Sequence, residues 1–284
     1  ITLIDKLQYT IRIMGVYLRP EQIEKAKVIG FHPSKNIVLT NKYTSSFAIR
    51  ELSKINLSQK MDIERVGFRN EGESIQIYSN RHSVVFYDKI HDLTKPDKRA
   101  IDKDNNALQK NLFEFIKADK KGLEILRFEI RLSHSDKVKE VLSEVGFSQV
   151  PTFKSIFNKN LCQKIVRLYW ERLFFDNLFL FSTYNNPQKI LEMILVKYPK
   201  TRIRTAIMLT GLNILCKDDE GFRGFRKIVG SYKTKNNWYS LRRYLEKLSD
   251  SFFTRPIHGF IDDIQREIKE FGAFKLNPLS TIVK

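Results

Sequence analysis

The chain has 284 residues, of which 50 are Lys or Arg and 32 are Asp or Glu, so its formal net charge is +18; hydrophobic residues make up 42%. This composition is too apolar for a disordered tail and too basic for an ordinary metabolic enzyme. Cys162 and Cys216 are its two cysteines, which excludes a disulfide framework and a four-cysteine zinc site and favours a reducing cytoplasm. No apolar run reaches the roughly 18 residues of a membrane span, so we expect no membrane partner.

The length favours two domains, and the charge is divided unevenly between them. Residues 1–150 carry 26 basic and 20 acidic residues, whereas residues 151–284 carry 24 and 12. A basic surplus of this kind points to polyanions, with nucleic acid ahead of a merely solvated surface or an anionic membrane. The chain starts at Ile1, already within a helical pattern, so we also expect that an N-terminal portion is missing.

Taken in chain order, residues 1–150 predict alternating helices and strands. Hydrophobic periodicity and turn residues predict these elements: a helix over 1–15, a strand over 26–32, a helix over 43–55, a hairpin of strands 74–80 and 83–91, a charged linker over 94–106, a short helix over 108–116, a strand over 124–132 and a helix over 136–145 that Gly146 closes. This order predicts an α+β unit with a mainly antiparallel sheet. No glycine-rich phosphate loop of the common types occurs in the sequence.

The strand over 124–132 separates apolar from charged residues. Alternation places Arg127, Glu129 and Arg131 on the face opposite Phe128. Nearby positive charge keeps the carboxyl group ionised. The pattern fits either a salt-bridged stripe on an exposed sheet face or a metal-binding carboxylate whose arginines hold a phosphate.

The second half of the hairpin places Tyr87, Lys89 and His91 on one strand face. A tyrosine is able to act as the nucleophile in phosphodiester transesterification when a cation stabilises the developing charge. The alternative is a tyrosine that only packs, as is common in strands. His32, which ends the strand over 26–32, is read either as a hydrogen-bonded residue at the strand end or as a functional histidine.

Taken together, these segments resemble the replication initiators of filamentous phages and related plasmids, the gene II/gene X family. The resemblance lies in Tyr87, Lys89 and Asp92, which match the family strand Y-x-K-x-x-[ED], and in the R-F-E-I-R segment at residues 127–131, which matches R-[FILM]-E-x-R. It continues weakly through residues 151–157 and 237–244. The sequence lacks the H-x-H pair of the HUH superfamily, and the strand over 26–32 has no aspartate where family members usually carry one.

The resemblance implies a rolling-circle endonuclease on an antiparallel sheet of ferredoxin-like, HUH type. With Mg or Mn bound, Tyr87 would cleave single-stranded or origin DNA, leaving a 5′-phosphotyrosine link and a free 3′-OH, and would later rejoin the strand. Lys89 would neutralise the phosphate, Glu129 would bind the metal, and His32 would replace the missing ligand. His91 and Asp92 are candidate supporting residues, and a host helicase and polymerase are candidate partners.

Residues 151–284 predict an all-helical, basic DNA-binding domain. Its densest basic segment, residues 222–247, interleaves cations with aromatic residues that stack on bases or pack in a core. The candidate DNA-binding residues, in addition to Arg127 and Arg131, are Arg223, Arg226, Lys227, Lys233, Lys235, Arg242 and Arg243. Gly230 fits the turn of a helix-turn-helix motif. The sequence thus predicts a nicking domain over 1–150 followed by this domain; the alternatives are a non-catalytic DNA-binding protein on the same scaffold and a general RNA-binding or interaction protein.

Overall fold

A computed structural model describes residues 3–40, 43–55, 57, 61–65, 74–94, 123–218, 220–232, 241, 244 and 257–273. The strands in this part of the chain are β1 (Ser34–Leu39), β2 (Asp62–Arg65), β3 (Ser74–Tyr78), β4 (His82–Asp88) and β5 (Glu124–Leu132). The helices are α1 (Leu3–Ile13), α2 (Pro20–Glu24), α3 (Ser45–Leu52), α4 (Lys89–Thr94), α5 (Ser135–Glu144), α6 (Phe153–Ile156), α7 (Lys159–Phe174), α8 (Pro187–Lys197), α9 (Ile203–Lys217), α10 (Gly221–Tyr232) and α11 (Gly259–Glu270), with a 3-10 helix at Phe175–Phe181 between α7 and α8.

The strands form one five-stranded antiparallel sheet in the order β1-β5-β4-β3-β2. The hairpin of β3 and β4 and the strand β5 were predicted from alternation, and both are confirmed. Strand β5 lies at the second position of the sheet, between β1 and β4, although a long segment separates it from β4 in the chain. The α+β class with an antiparallel sheet is therefore confirmed, while the ferredoxin-like or HUH type stays a prediction.

The apolar face of the sheet packs against helices from the second half of the chain. On this face Phe86 and Phe128 stack on each other. Two residues of α7 pack against them: the Trp170 ring centre lies 6.3 Å from that of Phe128, and the Phe174 ring centre lies 5.6 Å from that of Phe86. The alternation of Leu, Phe and Ile along β5 fills this layer, because every second side chain of a strand points to the same side. The opposite face of β4 and β5 carries mainly polar side chains, with the buried Val85 among them.

Among the described residues, a hydrophobic core includes residues from both sides of position 150. Helix α7 packs on β1 and β5, and α11 packs along β1. Asp263 of α11 fixes this contact, because its buried carboxylate accepts hydrogen bonds from the backbone and the hydroxyl of Thr40 at 2.7 Å. The division into two domains at residue 150 stays a prediction, and the core crosses it.

The strand predicted over 26–32 is wrong in position. Only isolated pairings occur there, between Lys27 and Thr152 and between Phe31 and Leu132, and the continuous strand β1 starts after Pro33. Proline has no backbone N–H to donate, which separates the Phe31 pairing from β1. The alternation of apolar and polar residues is hard to recognise in the β1 sequence, because Lys35 occupies a position that faces the core.

Two further predictions change in the structure. Strand β4 ends at Asp88, whose carboxylate accepts a 3.0 Å hydrogen bond from the backbone N–H of His91, so Lys89 and His91 lie on α4 and not on the strand. Helix α10 continues through Gly230, so the turn predicted there is absent. The predicted helix over 108–116 and the charged linker beyond residue 94 lie outside the described residues.

The predicted N-terminal helix forms as α1, with Leu7 and Ile11 half-buried and Met14, just beyond its end, 75% exposed. In the described part of the chain, none of the helices has the length and apolarity that a bilayer crossing requires.

Candidate active site

Tyr87 and Glu129 meet on the polar face of the sheet. The Tyr87 hydroxyl donates a 3.2 Å hydrogen bond to Oε2 of Glu129. In the register of β4 and β5, Tyr87 lies opposite Arg127 and Val85 lies opposite Glu129, so the bonded residues are diagonal neighbours. Two motifs that are 42 residues apart in the chain thus form one cluster.

Two arginines hold the Glu129 carboxylate from both sides. Arg131 Nε donates to Oε1 at 2.8 Å, and Arg127 Nε donates to Oε2 at 3.2 Å. Burial by itself would raise the pKa of Glu129, but the hydrogen bond and charge of Arg131, together with the charge of Arg127, outweigh it and lower this pKa. Glu129 is therefore an ionised carboxylate at neutral pH, with its side chain only 10% exposed.

Tyr87 is held in its protonated form. Burial is the main cause that raises the pKa of its hydroxyl; the Arg127 charge opposes this shift, whereas the Glu129 and Asp92 carboxylates add to it. A tyrosine in this state does not ionise on its own near pH 7. A nucleophilic role for Tyr87 requires a base that takes its proton during the reaction, and Glu129 is the acceptor already in contact.

Arg127 is fixed by residues of β1 that were not among the predicted site residues. Its Nη2 donates to the Ser34 hydroxyl at 2.8 Å, and its Nη1 donates to Oδ1 of Asn36 at 3.3 Å. With the bond to Glu129, these contacts set the plane of the guanidinium while each terminal nitrogen keeps a further N–H. No local motif marks Ser34 or Asn36, because their role arises from the pairing of β1 with β5.

Helix α4 brings Lys89 and Asp92 to the same place. The Lys89 ammonium lies 5.7 Å from the centre of the Tyr87 ring and forms an ion pair of 2.9 Å with Asp92. Lys89 was predicted beside Tyr87 on a strand; in the structure it is close to Tyr87, but it lies in the first turn of a helix. His91 lies in the same helix, half-buried.

The described residues around Glu129 do not fit a divalent metal. Both carboxylate oxygens already accept hydrogen bonds, and two positive guanidiniums flank the position that a cation would occupy. His32 is exposed, and the described part of the chain contains no group of three or more His, Cys, Asp or Glu residues that could hold a metal ion. The roles of Glu129 and His32 as ligands of Mg or Mn stay predictions.

The remaining candidate DNA-binding residues belong to α10 and to the chain after it. Arg223 and Lys227 are exposed on one side of α10, whereas the half-buried Arg226 donates to the carbonyl of Leu57 at 3.2 Å. Lys233, Lys235, Arg242 and Arg243 lie outside the described residues.

Comparison with known proteins adds no assignment: no family model matches the chain, and neither the curated proteins nor the solved structures contain a match.

Proposed function

We propose that this chain is a replication initiator that nicks and rejoins one DNA strand, with Tyr87 as the nucleophile. The observation that carries the proposal is the Tyr87–Glu129 hydrogen bond flanked by two arginines. A nucleophile with a base in contact, next to cations placed to bind a phosphate, meets the geometric needs of phosphoryl transfer.

In the proposed reaction Tyr87 Oη attacks the phosphorus of a phosphodiester. The Tyr87–phosphorus bond forms as the bond between phosphorus and the 3′-oxygen breaks. The hydroxyl proton passes to Glu129, and the departing 3′-oxygen takes up a proton from solvent. The products are a 5′-phosphotyrosine and a free 3′-OH that serves as a primer, and the reverse attack by a 3′-OH rejoins the strand.

The arginines connect phosphate binding with activation of the base. A phosphodiester that enters the site competes with Glu129 for the N–H groups of Arg127 and Arg131. As these donors turn towards the phosphate, Glu129 loses the contacts that lower its pKa and becomes a stronger base. Lys89, whose ammonium lies 5.7 Å from the centre of the Tyr87 ring and is paired with Asp92, is the residue that would neutralise the phosphate.

The charge of the chain supports DNA as the substrate. The +18 surplus and the basic side of α10 would hold a polyanion by phosphate contacts that carry little sequence information. A rolling-circle role in the cytoplasm, with a host helicase and polymerase as partners, is part of the same proposal.

A second candidate is a DNA-binding protein without nuclease activity. The two arginine contacts of Glu129 favour it, because an arginine-held carboxylate also occurs as a purely structural ion-pair network. The nicking experiment separates the two candidates.

The experiment incubates the protein with a pool of single-stranded oligonucleotides of random sequence, labelled at the 3′ end, with Mn, with Mg or with EDTA. Because the proposed link retains the fragment with the 5′-phosphate, the 3′ label should move with the protein on a denaturing gel, whereas a 5′ label should be released. Tyr87→Phe should abolish the labelled protein band.

Tyr78→Phe is the control, since Tyr78 lies on the neighbouring strand β3, more exposed and without a place in the cluster. A wild-type protein that forms no adduct with Mn, Mg or EDTA, or a Tyr87→Phe protein that still forms it, overturns the assignment of Tyr87.

A further inference from the structure

A pocket of about 350 Å³ lies beside the Tyr87 site, at the outer edge of the sheet. Its walls are β1, the first residue of α7 and the segment that follows α11. It is lined by Ser34, Lys35, Asn36, Arg127, Lys159, Phe271, Gly272 and Ala273. Three of these residues are cations and none is an acid, so the pocket is suited to an anion.

Buried contacts hold the walls of the pocket in place. Lys35 Nζ forms a 2.7 Å ion pair with Glu267 and donates to the carbonyl of Gly272 at 2.7 Å, which fixes the end of α11 against β1. Gln163 of α7 donates to the carbonyls of Ile268 and Lys269. These donors also satisfy carbonyls at the negative end of α11, which would otherwise repel an anion.

Two of the cations retain binding capacity. Arg127 is oriented by Ser34 and Asn36, and its terminal nitrogens keep unused N–H groups. Lys159 is exposed, and its ammonium has no ion-pair partner among the described residues. As the first residue of α7, after the N-cap Asn158, it adds positive charge at the positive end of a helix, an arrangement that a bound anion would stabilise.

The pocket continues the row of residues that contains Tyr87. Asn36, Arg127 and Tyr87 are paired across β1, β5 and β4. Adjacent strands are about 4.8 Å apart, so β1 lies about 10 Å from the strand of the nucleophile. Arg127 contributes to both places, since it bonds Glu129 on one side and lines the pocket on the other.

We propose that this pocket binds a second phosphate of the single strand, close to the one that Tyr87 attacks, with Lys159 and Arg127 as its ligands. The identity of this ligand rests on the proposed function. A second phosphate held about two strand widths away would align the scissile bond with the Tyr87 oxygen, because it fixes the strand on both sides of the reacting group.

The test measures binding of a fluorescein-labelled thymidine dodecamer by anisotropy, over a range of NaCl concentrations and in EDTA. Lys159→Gln should weaken binding about three- to tenfold and reduce the salt slope by about 0.7, the value for one lost contact to a single strand. Lys159→Glu should weaken it further. Lys189→Gln and Lys189→Glu are matched controls, because Lys189 is also an exposed lysine in the first turn of a helix capped by an asparagine.

The outcomes distinguish the proposal about the pocket from the proposal about nicking. The pocket proposal is overturned if the Lys159 variants bind with the same affinity and salt slope as the matching Lys189 variants, or if the wild type does not bind the dodecamer. This holds even where an adduct forms with another oligonucleotide. If Lys159→Gln weakens binding and no adduct forms with any metal, the pocket is supported and the nicking function is not. Equal melting temperatures of all variants show that an observed difference is a binding effect.

Discussion

Phe86 and Phe128 stack across β4 and β5 with 4.5 Å between ring centres and 8° between ring planes, directly behind the polar cluster. The residues that follow them, Tyr87 and Glu129, point to the other side of the same two strands and are hydrogen-bonded there. The two faces of the sheet thus differ in their role. One face contributes to the free energy of unfolding through apolar burial, and the other presents the candidate chemistry.

This separation predicts different stability effects on the two faces. Phe128→Ala should lower the free energy of unfolding by about 3–5 kcal/mol, because it opens a cavity in a fully buried layer. Tyr87→Phe removes one hydrogen bond at a half-buried position and should cost about 1 kcal/mol. Urea unfolding followed by far-ultraviolet circular dichroism measures both. Equal losses would show that the polar face is needed for folding.

The sequence predicts the individual strands of this site better than it predicts how they pair. Alternation in residues 124–132 separates Arg127 and Glu129 from Phe128, and the structure keeps that separation. The contact between Tyr87 and Glu129 depends on the pairing of β4 with β5, which no local pattern encodes. Only the family resemblance joined the two motifs in advance.

Strand β1 shows why other parts of the site were missed. Lys35 faces the core because its ammonium pairs with Glu267, a residue more than two hundred positions away, so a charged residue interrupts an otherwise apolar alternation. The strand was placed too early for this reason. Ser34 and Asn36 contact Arg127 because β1 starts at residue 34 and pairs with β5, and the pocket with Lys159 lies beside the same strand. A strand placed over 26–32 does not predict these contacts.

Glu129→Gln should reduce stability in a pH-dependent way. The arginine contacts lower the pKa of Glu129 in the folded state, so they stabilise the fold above the ordinary glutamate pKa of about 4.3, and this contribution disappears as the pH falls through the lower, folded-state value. The variant should lose about 1–3 kcal/mol at pH 7, the usual range for hydrogen bonds to a charged group. The difference from the wild type should shrink below pH 4.

Denaturant unfolding at pH 7, 5, 4 and 3 measures this difference. Glu140→Gln is the control, since Glu140 is an exposed carboxylate paired with Lys137 outside the cluster. A Glu129→Gln deficit that stays constant over the whole pH range would contradict a stabilising role of the ionised carboxylate.

Two glycines of α10 should respond in opposite ways to alanine. Gly221 has a φ of +59°, and a Cβ there would lie 2.5 Å from the Cα of Lys54. Gly221→Ala should therefore cost at least about 2 kcal/mol through backbone strain and overpacking. Gly230 lies within the helix with open space around it, and Gly230→Ala should add about 0.5–1 kcal/mol. Thermal and urea unfolding measure both, and a neutral Gly221→Ala would contradict the close contact between α10 and the end of α3.

Lys217 should make the protein more stable as the solution becomes alkaline. Burial, helped by the charge of Lys54, lowers the pKa of this lysine to about 8, while its ammonium donates to the carbonyls of Ser182 and Tyr184. The unfolded chain holds this proton up to about pH 10.4 and the folded chain releases it near pH 8, so between these values the unfolded state binds more protons and the free energy of unfolding rises with pH.

Other lysines and tyrosines titrate in the same range, and a comparison with Lys217→Met removes their contribution. The wild type should gain about 1–3 kcal/mol relative to this variant between pH 7.5 and pH 10. Parallel stability curves for the two proteins would show that Lys217 keeps its proton in the folded state.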